Sequence, residues 1–176
     1  ALGDLLLHQP DRSGPLRREF VAAAVARIEQ GQHCYTHANA GSLLHCGWLA
    51  PHPSEELAQE VLPGYALSPG SALIVDLQTF SAKLAPEIEL NSLRTMMQDA
   101  AHDPVIRQIL VAVPAGDQHL RTLLEQIGFN HQGSLFQQMR FGRSRHWSMR
   151  LCSTLRSGPR PSASTNRRAV CTHIRS

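Results

Sequence analysis

Residues 105–129 read VIRQILVAVPAGDQHLRTLLEQIGF and predict a strand followed directly by a helix. The strand is indicated by the apolar, β-branched run Ile106–Val113, which has the length of a buried strand. Pro114 and Gly116 end this run, because proline cannot donate a hydrogen bond to a sheet and glycine favours a turn. The stretch therefore predicts one buried strand of a larger sheet.

The helix of this stretch begins after Asp117, a residue type that caps the first turn of helices. Gly128 stands where a helix ends in a left-handed conformation. A strand that leads into a helix packed on the same sheet is half of an α/β unit, and most such units are scaffold. Between Asp117 and Gly128, apolar residues recur on one helical face at Leu120, Leu123, Leu124 and Ile127.

The rest of the chain adds helices and strands in an order that fits a mixed sheet. The Ala-rich residues 15–30 predict a helix, and Asn39-Ala40-Gly41 predicts a hairpin turn. This order predicts an α/β (α+β) fold with a mixed, mostly antiparallel sheet flanked by helices. The remaining predicted elements are strands His33–Ala38, Ser42–Leu49, Ser71–Thr79 and Gly133–Phe141, a helical turn at Ser54–Val61 and a helix at Ile88–Ala101.

Composition favours a globular domain in a reducing compartment. The chain has 176 residues, of which 42% are hydrophobic, and this is enough for a sizeable core. Its four cysteines form no CxxC pair, which favours the cytoplasm over a disulfide framework. We find no secretory signal and no stretch near the roughly 20 apolar residues that a membrane span needs. We therefore expect a cytoplasmic protein without a membrane segment, and the sequence does not specify its oligomeric state.

The last residues, 142–176, differ sharply in composition from the rest. They hold eight of the 17 Lys and Arg residues and none of the 14 Asp and Glu residues, and they show no apolar periodicity. We therefore predict one ordered domain over residues 1–141 and a disordered Arg/Ser/Pro-rich tail over residues 142–176. The arginines near Trp147 leave a nucleic-acid-binding arm open as an alternative. Basic tails commonly have no specific partner, so we do not expect nucleic acid to be the main partner.

Cysteine and histidine residues on the predicted hairpin suggest a metal site, which strand geometry opposes. Cys34 and His37 lie on opposite faces of one strand, because side chains alternate along a strand. His45 and Cys46 lie on opposite faces of the next strand for the same reason. Four zinc ligands would have to converge on one point. We therefore predict no metal site.

The element order and three local segments resemble the GNAT superfamily of acyl-CoA-dependent N-acyltransferases. The resemblance spans about residues 15–141, and its most specific segments are HCGWL, ALIVDLQT and VPAGDQHLRTLLEQIGF. In that family a similar strand and helix end in a run such as L-Y-E-K-x-G-F. This chain matches the run at Leu123, Glu125, Gly128 and Phe129. The resemblance implies a GNAT-like fold.

The resemblance also implies acetyl-CoA or another acyl-CoA as donor and a small-molecule amine as acceptor. In the family the donor lies where the fourth and fifth strands splay apart. A loop before the next helix wraps the pyrophosphate of the donor with backbone N–H groups. Carried onto this sequence, the donor-binding residues are Leu77, Gln78, Thr79, Lys83, Leu84, Ala85, Ile88, Asp117 and Arg121.

Asp76 is the candidate catalytic base. It interrupts the otherwise apolar strand ALIVDLQT, and a carboxylate in such surroundings can remove a proton from an attacking amine. The alternative is an aspartate bonded to neighbouring backbone or to an arginine, which is the commoner case. The alternative for Asp117 is a role as the N-cap of the helix, and the alternative for Arg121 is a solvated position on the helix surface.

The sequence departs from the family at the pyrophosphate loop, whose pattern is Q/R-x-x-G-x-G/A. Leu84, Glu87 and Glu89 occupy its three defining positions, and two glutamates there bring negative charge towards a pyrophosphate. The family's tyrosine that protonates the leaving thiolate is replaced by Leu124. The sequence therefore favours an acyl-CoA-dependent N-acyltransferase with a degenerate loop. The alternative is a non-catalytic GNAT-like interaction domain that has lost CoA binding.

Overall fold

The computed structural model describes residues 2–9, 16–81, 85–140, 143–150 and 168–175. Helices and strands follow one another over most of this part of the chain. The helices are α1 (Leu2–Leu5), α2 (Arg17–Glu29), α3 (Glu55–Val61), α4 (Pro86–His102) and α5 (Gln118–Gln126). The strands are β1 (His33–Asn39), β2 (Ser42–Ala50), β3 (Ser71–Thr79), β4 (Gln108–Pro114), β5 (Asn130–Arg140), β6 (Arg143–Arg150) and β7 (Arg168–Arg175).

The chain divides into two units, which are described separately. Unit 1 comprises Ala1–His52 and Ile74–Asp103, and unit 2 comprises Pro53–Leu73 and Pro104–Ser176. Unit 1 therefore contains α1, α2, β1, β2 and α4, whereas unit 2 contains α3, β4, α5, β5, β6 and β7. Strand β3 begins in unit 2 and ends in unit 1.

The sheet of unit 1 is built on the hairpin that the sequence predicts. Strand β1 pairs antiparallel with β2, and β3 follows β2 in the sheet order. The turn between β1 and β2 places Ala40 and Gly41 at φ values of 47° and 78°. This left-handed backbone is accessible to glycine at little cost, and the Asn-Ala-Gly sequence therefore fits the turn.

Helix α4 packs closely on β2 because glycine occupies position 47. A Cβ atom at Gly47 would lie 2.5 Å from Met96 Cε and 2.7 Å from Leu77 Cδ2, distances that real side chains do not adopt. Met96 is fully buried, together with Leu93 and Ala100 on the same helix face. The sequence predicts a helix over Ile88–Ala101, and these three buried residues recur at helical spacing.

Unit 2 contains a mixed sheet in the order β4-β7-β5-β6. Strand β7 is parallel to both β4 and β5, whereas β5 and β6 are antiparallel. Helix α5 buries Leu123 and Leu124, as the apolar periodicity predicts. The Asp117 side chain caps this helix, and Gly128 follows it at a φ of 95°, so the predicted start and end of α5 are both confirmed.

The α/β fold with a mixed sheet and flanking helices is confirmed, and β3 has the bounds that the sequence predicts. Strand β4 begins at Gln108, later than predicted, because the Gly70 carbonyl accepts hydrogen bonds from the backbone N–H groups of Arg107 and Gln108. No helix among the described residues is both long and apolar enough to cross a membrane.

Within residues 142–176, the segment predicted as a disordered tail, the structure describes strands β6 and β7, and the rest of the segment lies outside the described residues. Val170, Thr172 and Ile174 are β-branched residues spaced two apart, a pattern typical of strands. The arginine, serine and proline content of the whole segment conceals this short pattern.

Glycine substitutions in unit 2 separate two reasons for a glycine. One is a left-handed backbone, and the other is a neighbouring atom that leaves no room for a Cβ. Gly70 has a φ of 79°, and a Cβ there would lie 2.5 Å from the Val105 carbonyl oxygen. Gly128 has a φ of 95° but no atom near a Cβ, and Gly116 has neither constraint. We expect Gly116→Ala to leave the free energy of unfolding within about 1 kcal/mol of wild type. Gly128→Ala should lower it by about 1 kcal/mol and Gly70→Ala by about 3 kcal/mol.

Urea unfolding of the full chain measures these three values under identical conditions. If Gly70→Ala were no more destabilising than Gly128→Ala, the close approach of the Val105 carbonyl would be contradicted.

Candidate functional site

The residues of strand β3 change from buried to exposed or half-buried at Asp76. The preceding residues Ser71–Val75 are all buried, whereas Asp76 and the residues that follow it are half-buried or exposed. Asp76 also has a φ of 46°, which is uncommon for a residue other than glycine. Such backbone strain occurs preferentially at functional sites, where the surrounding structure maintains it. The polar end of β3 is therefore the first candidate for a site in unit 1.

Arg27 of α2 holds the side chain of Asp76. Its Nη2 forms an ion pair with Asp76 Oδ2, and its guanidinium lies over the Trp48 ring at 5.4 Å from the centroid. The two charged side chains are 24% and 47% exposed, so solvent screens the pair and it contributes about 1 kcal/mol or less. Trp48 is buried and belongs to the core. Asp76 therefore has the arginine partner that the sequence left open as an alternative.

The predicted donor-binding residues of unit 1 lie at the end of β3 and the start of α4. Leu77, Gln78 and Thr79 are the last residues of β3, and Ala85 and Ile88 lie at the N-terminus of α4. Thr79 bonds to other side chains of unit 1, whereas Gln78 is exposed. Lys83 and Leu84, the other predicted residues of this connection, lie outside the described residues.

The N-terminus of α4 combines a favourable and an unfavourable feature for an anion. Ala85 is the N-cap residue, and its side chain cannot accept a hydrogen bond. The backbone N–H groups of the first turn are therefore not capped by this residue. Glu87 is exposed in that same turn. Glu89 accepts a hydrogen bond from the Thr79 hydroxyl. Glu87 and Glu89 are therefore not equivalent.

Asp117 and Arg121 belong to unit 2 and both stabilise the turn before α5. Asp117 Oδ1 accepts a hydrogen bond of 2.9 Å from the Leu120 backbone N–H. Arg121 Nη2 donates to the Ala115 carbonyl at 2.7 Å, and its buried Nε has no partner among the described residues. The N-cap alternative for Asp117 is therefore present, and Arg121 is partly buried instead of lying on a solvated surface.

His45 is buried on β2 and joins the end of β3 to α4 through hydrogen bonds. Its Nδ1 lies 3.4 Å from Thr79 Oγ1, and the Thr79 hydroxyl donates to Glu89 Oε1. Because the Thr79 hydrogen is committed to Glu89, Nδ1 of His45 carries the proton of this contact. A neutral imidazole then has an unprotonated Nε2. This Nε2 atom is buried without a partner in the part of the chain that the structure describes.

The surroundings of His45 favour its neutral form. Burial lowers the pKa of His45 below its ordinary value of 6.5, because water no longer stabilises the charged ring. The Glu89 carboxylate opposes this shift, nearby His37 adds to it, and the backbone of Gln78 opposes it through a hydrogen bond. Burial is the largest of these effects, so the imidazole stays neutral at neutral pH and keeps a lone pair on Nε2.

A cavity of about 460 Å³ in unit 1 is lined by His45 together with residues of α1, β1 and α4. Ser92 lines it, and the Ser92 hydroxyl, like His45 Nε2, is buried with no partner among the described residues. Ile88, one of the predicted donor-binding residues, lines the same cavity. We name this feature the His45 cavity.

The two cysteine side chains of the hairpin lie close to each other, and His37 and His45 are cross-strand neighbours. Cys34 Sγ and Cys46 Sγ lie 3.6 Å apart. His37 stands directly opposite His45 in the strand register, whereas Cys46 stands opposite Thr36. Within the described residues, no three His, Cys, Asp or Glu side chains are grouped so that they could hold a metal ion.

Sequence reasoning did not single out Arg27 or Ser92, and it considered His45 only as a metal ligand. Arg27 is 49 positions from Asp76, and no local pattern pairs them. Ser92 has no distinguishing signal within its helix. His45 had a signal, since a histidine inside the otherwise apolar segment LLHCGWLA needs a polar partner or a function.

The fold is similar to that of solved N-acetyltransferases. Ribosomal-protein-alanine N-acetyltransferase from Brucella melitensis matches at a TM-score of 0.54 and 15% identity, over 86% of this chain and 96% of that chain. An N-acetyltransferase from Staphylococcus aureus Mu50 matches at 0.54 and 12% identity, over 80% of each chain. A Salmonella typhimurium protein solved with its cofactor acetyl-CoA matches at 0.52 and 11% identity, over 93% of this chain and 90% of that chain.

No protein-family model and no curated protein matches the sequence. Identities of 11–15% show a shared fold and do not carry over a substrate. The chain therefore has a GNAT-like fold, as its resemblance to that superfamily implies.

The neutral state of His45 predicts a pH-dependent stability of definite sign. When the pH falls from about 7.5 to about 5.5, the unfolded chain takes up a proton on His45 that the folded chain resists. Wild type should therefore lose up to about 1 kcal/mol more unfolding free energy than His45→Gln over this interval. His119→Gln removes an exposed histidine of α5 and is the matched control. An equal loss in wild type and His45→Gln would contradict the neutral, buried imidazole.

Proposed function

We propose that the protein is a GNAT-like N-acyltransferase that moves an acyl group, in the simplest case acetyl, from acyl-CoA to the amine of a small molecule. The observation that carries the proposal is the similarity of fold over almost the whole chain to a structure that contains acetyl-CoA. The N-acetyltransferase names of two other similar structures support the same reaction class. A cytoplasmic location suits this donor and the small number of cysteines.

The proposed donor site of unit 1 is the end of β3 and the start of α4. Leu77, Gln78 and Thr79 would hold the acyl and pantetheine portions through backbone groups. Backbone N–H groups at the N-terminus of α4 would face the pyrophosphate, because the helix dipole favours negative charge there. Ala85 favours this use, since its side chain does not cap the helix. The proposal also assigns Lys83, Leu84 and Ile88 to this site, and Asp117 and Arg121 of unit 2 to donor contacts.

Asp76 is the proposed base of the transfer step. The amine nitrogen attacks the thioester carbonyl carbon, the Asp76 carboxylate takes the proton from that nitrogen, and the C–S bond breaks to release the CoA thiolate. The thiolate then takes a proton from solvent. The exposed carboxylate and the unusual backbone of Asp76 support this role. Arg27 orients the side chain by occupying one carboxylate oxygen.

The second candidate function is a non-catalytic GNAT-like interaction domain. It is favoured by one observation, the exposed Glu87 in the first turn of α4. A carboxylate there repels the pyrophosphate of an acyl-CoA. The two candidates differ in whether acyl-CoA binds to the folded protein.

Removing the charge of Glu87 is expected to tighten acyl-CoA binding. Glu87→Gln should lower the Kd for acetyl-CoA about threefold or more in calorimetric titration, since one repulsive charge near the pyrophosphate is worth about 1 kcal/mol. S-acetylpantetheine lacks the pyrophosphate, so its Kd should not change. Glu125→Gln, at an exposed position of α5, is the matched control. Wild type and Glu87→Gln that are both folded and both fail to bind acetyl-CoA would favour the non-catalytic domain.

Replacing Asp76 is expected to slow the transfer step. Asp76→Asn should lower kcat about a hundredfold or more, because positioned bases contribute about that factor. Thiol release from acetyl-CoA in the presence of a primary amine measures the rate. An unchanged kcat would remove Asp76 from the reaction, whatever the fate of acyl-CoA binding.

A further inference from the structure

We propose that Cys34 and Cys46 form a dithiol site that hydrogen peroxide oxidises to a reversible disulfide. Both residues are free thiols in the structure, and the site lies within unit 1. Three features of the pair support this reaction: the contact between the two sulfurs, the difference in their exposure, and the different protonation states that their surroundings favour. None of these features depends on acyl transfer.

The two sulfurs are in contact across the β1–β2 hairpin. Cys34 is paired with Trp48 and Cys46 with Thr36, so the two cysteines lie on one face of the sheet as diagonal neighbours. Their Sγ atoms are 3.6 Å apart. A disulfide bond is about 2.05 Å long, so the sulfurs have to approach each other by about 1.5 Å. We expect rotation about the two Cα–Cβ bonds to provide this approach while the strand register is kept.

Cys34 is the accessible member of the pair. It is half-buried and lines the His45 cavity, which a small oxidant can enter. Cys46 is only 1% exposed. Peroxide therefore meets Cys34 first, and Cys46 reacts with the product that forms on Cys34.

The surroundings favour a thiolate on Cys34 and a thiol on Cys46. The pKa of Cys34 is lowered, chiefly because Cys46 donates a hydrogen bond to it, and the N-terminal amino group and Arg27 add to this effect. Burial and the Asp4 carboxylate act on this pKa in the opposite direction. The pKa of Cys46 is raised by the same hydrogen bond and by burial. Because the thiolate is the nucleophile in thiol oxidation, Cys34 is the attacking sulfur.

The oxidation proceeds in two steps. The Cys34 thiolate attacks one oxygen of hydrogen peroxide, the O–O bond breaks, and a sulfenic acid and hydroxide form. The Cys46 sulfur then attacks Cys34 Sγ, the S–O bond breaks, and hydroxide leaves with the proton of Cys46 as water. The two sulfurs together lose two electrons, and peroxide is reduced to water. A thiol reductant reverses the oxidation and restores both thiols.

Peptide mapping of the oxidised full-length protein locates the bond. The folded protein is treated with stoichiometric hydrogen peroxide, free thiols are blocked with N-ethylmaleimide, and chymotrypsin cleaves after Tyr35, between the two cysteines. We expect a disulfide-linked pair of peptides that contain Cys34 and Cys46 and that dithiothreitol separates. The same treatment in urea is the control, since the unfolded chain should also form pairs with Cys152 and Cys171.

Two serine variants separate the roles of the two sulfurs. Cys46→Ser keeps a hydrogen-bond donor to Cys34 but removes the second thiol, so the sulfenic acid on Cys34 should accumulate. Its labelling with dimedone should exceed that of Cys34 in wild type about tenfold or more. In Cys34→Ser the buried Cys46 should be labelled about tenfold less than Cys34 is in Cys46→Ser. Cys152→Ser and Cys171→Ser are the matched controls and should form the Cys34–Cys46 bond like wild type.

The proposal is overturned if folded wild type yields no linked peptides that contain Cys34 and Cys46, or if their share among the linked peptides is no higher than in urea. It is also overturned if Cys46 in Cys34→Ser is labelled as readily as Cys34 in Cys46→Ser. Because no acyl-CoA is present, these outcomes are independent of whether the protein catalyses acyl transfer.

Discussion

The polar end of β3 anchors the two long helices of unit 1. Five residues of this strand, Ser71–Val75, are buried, and the strand then turns polar at Asp76 with a left-handed backbone. Asp76 bonds to Arg27 of α2, and Thr79 bonds to Glu89 of α4. Neither contact contributes much free energy by itself, since each is partly exposed. Together they fix where both helices lie against a strand that bears the proposed base and donor contacts.

The same contacts distinguish the two glutamates at the start of α4. Both bring negative charge to this region, but the structure gives them separate roles. Glu89 is bonded to Thr79 and thereby fixes the tautomer of His45, whereas Glu87 is exposed in the first helical turn. Glu87 therefore has no hydrogen bond to Thr79 like that of Glu89, and its main effect would be to repel a pyrophosphate. A donor held mainly by backbone groups would be compatible with a glutamate in the first turn of α4.

Local patterns predicted the fold well, and long-range pairings were not predictable. The bounds of β3, the cap at Asp117 and the glycine after α5 follow from short-range chemistry that a single sequence displays. The Arg27–Asp76 pair joins residues far apart in the chain, and β7 enters the sheet between β4 and β5 from a segment dominated by arginine and serine. His45 Nε2 has no partner among the described residues, and its state depends on three side chains from different elements, so no single motif encodes it.

Mapping of acetyl-CoA onto the full-length protein by amide NMR shifts tests the proposed function most directly. We expect saturable shifts at Gln78, Thr79 and the first turn of α4 in unit 1, and between Asp117 and Arg121 in unit 2. S-acetylpantetheine should reproduce the shifts at the end of β3 and lose those at the start of α4, since it lacks the pyrophosphate. Saturable shifts elsewhere, or none in a protein whose spectrum shows that it is folded, would contradict an acyl-CoA site at the end of β3.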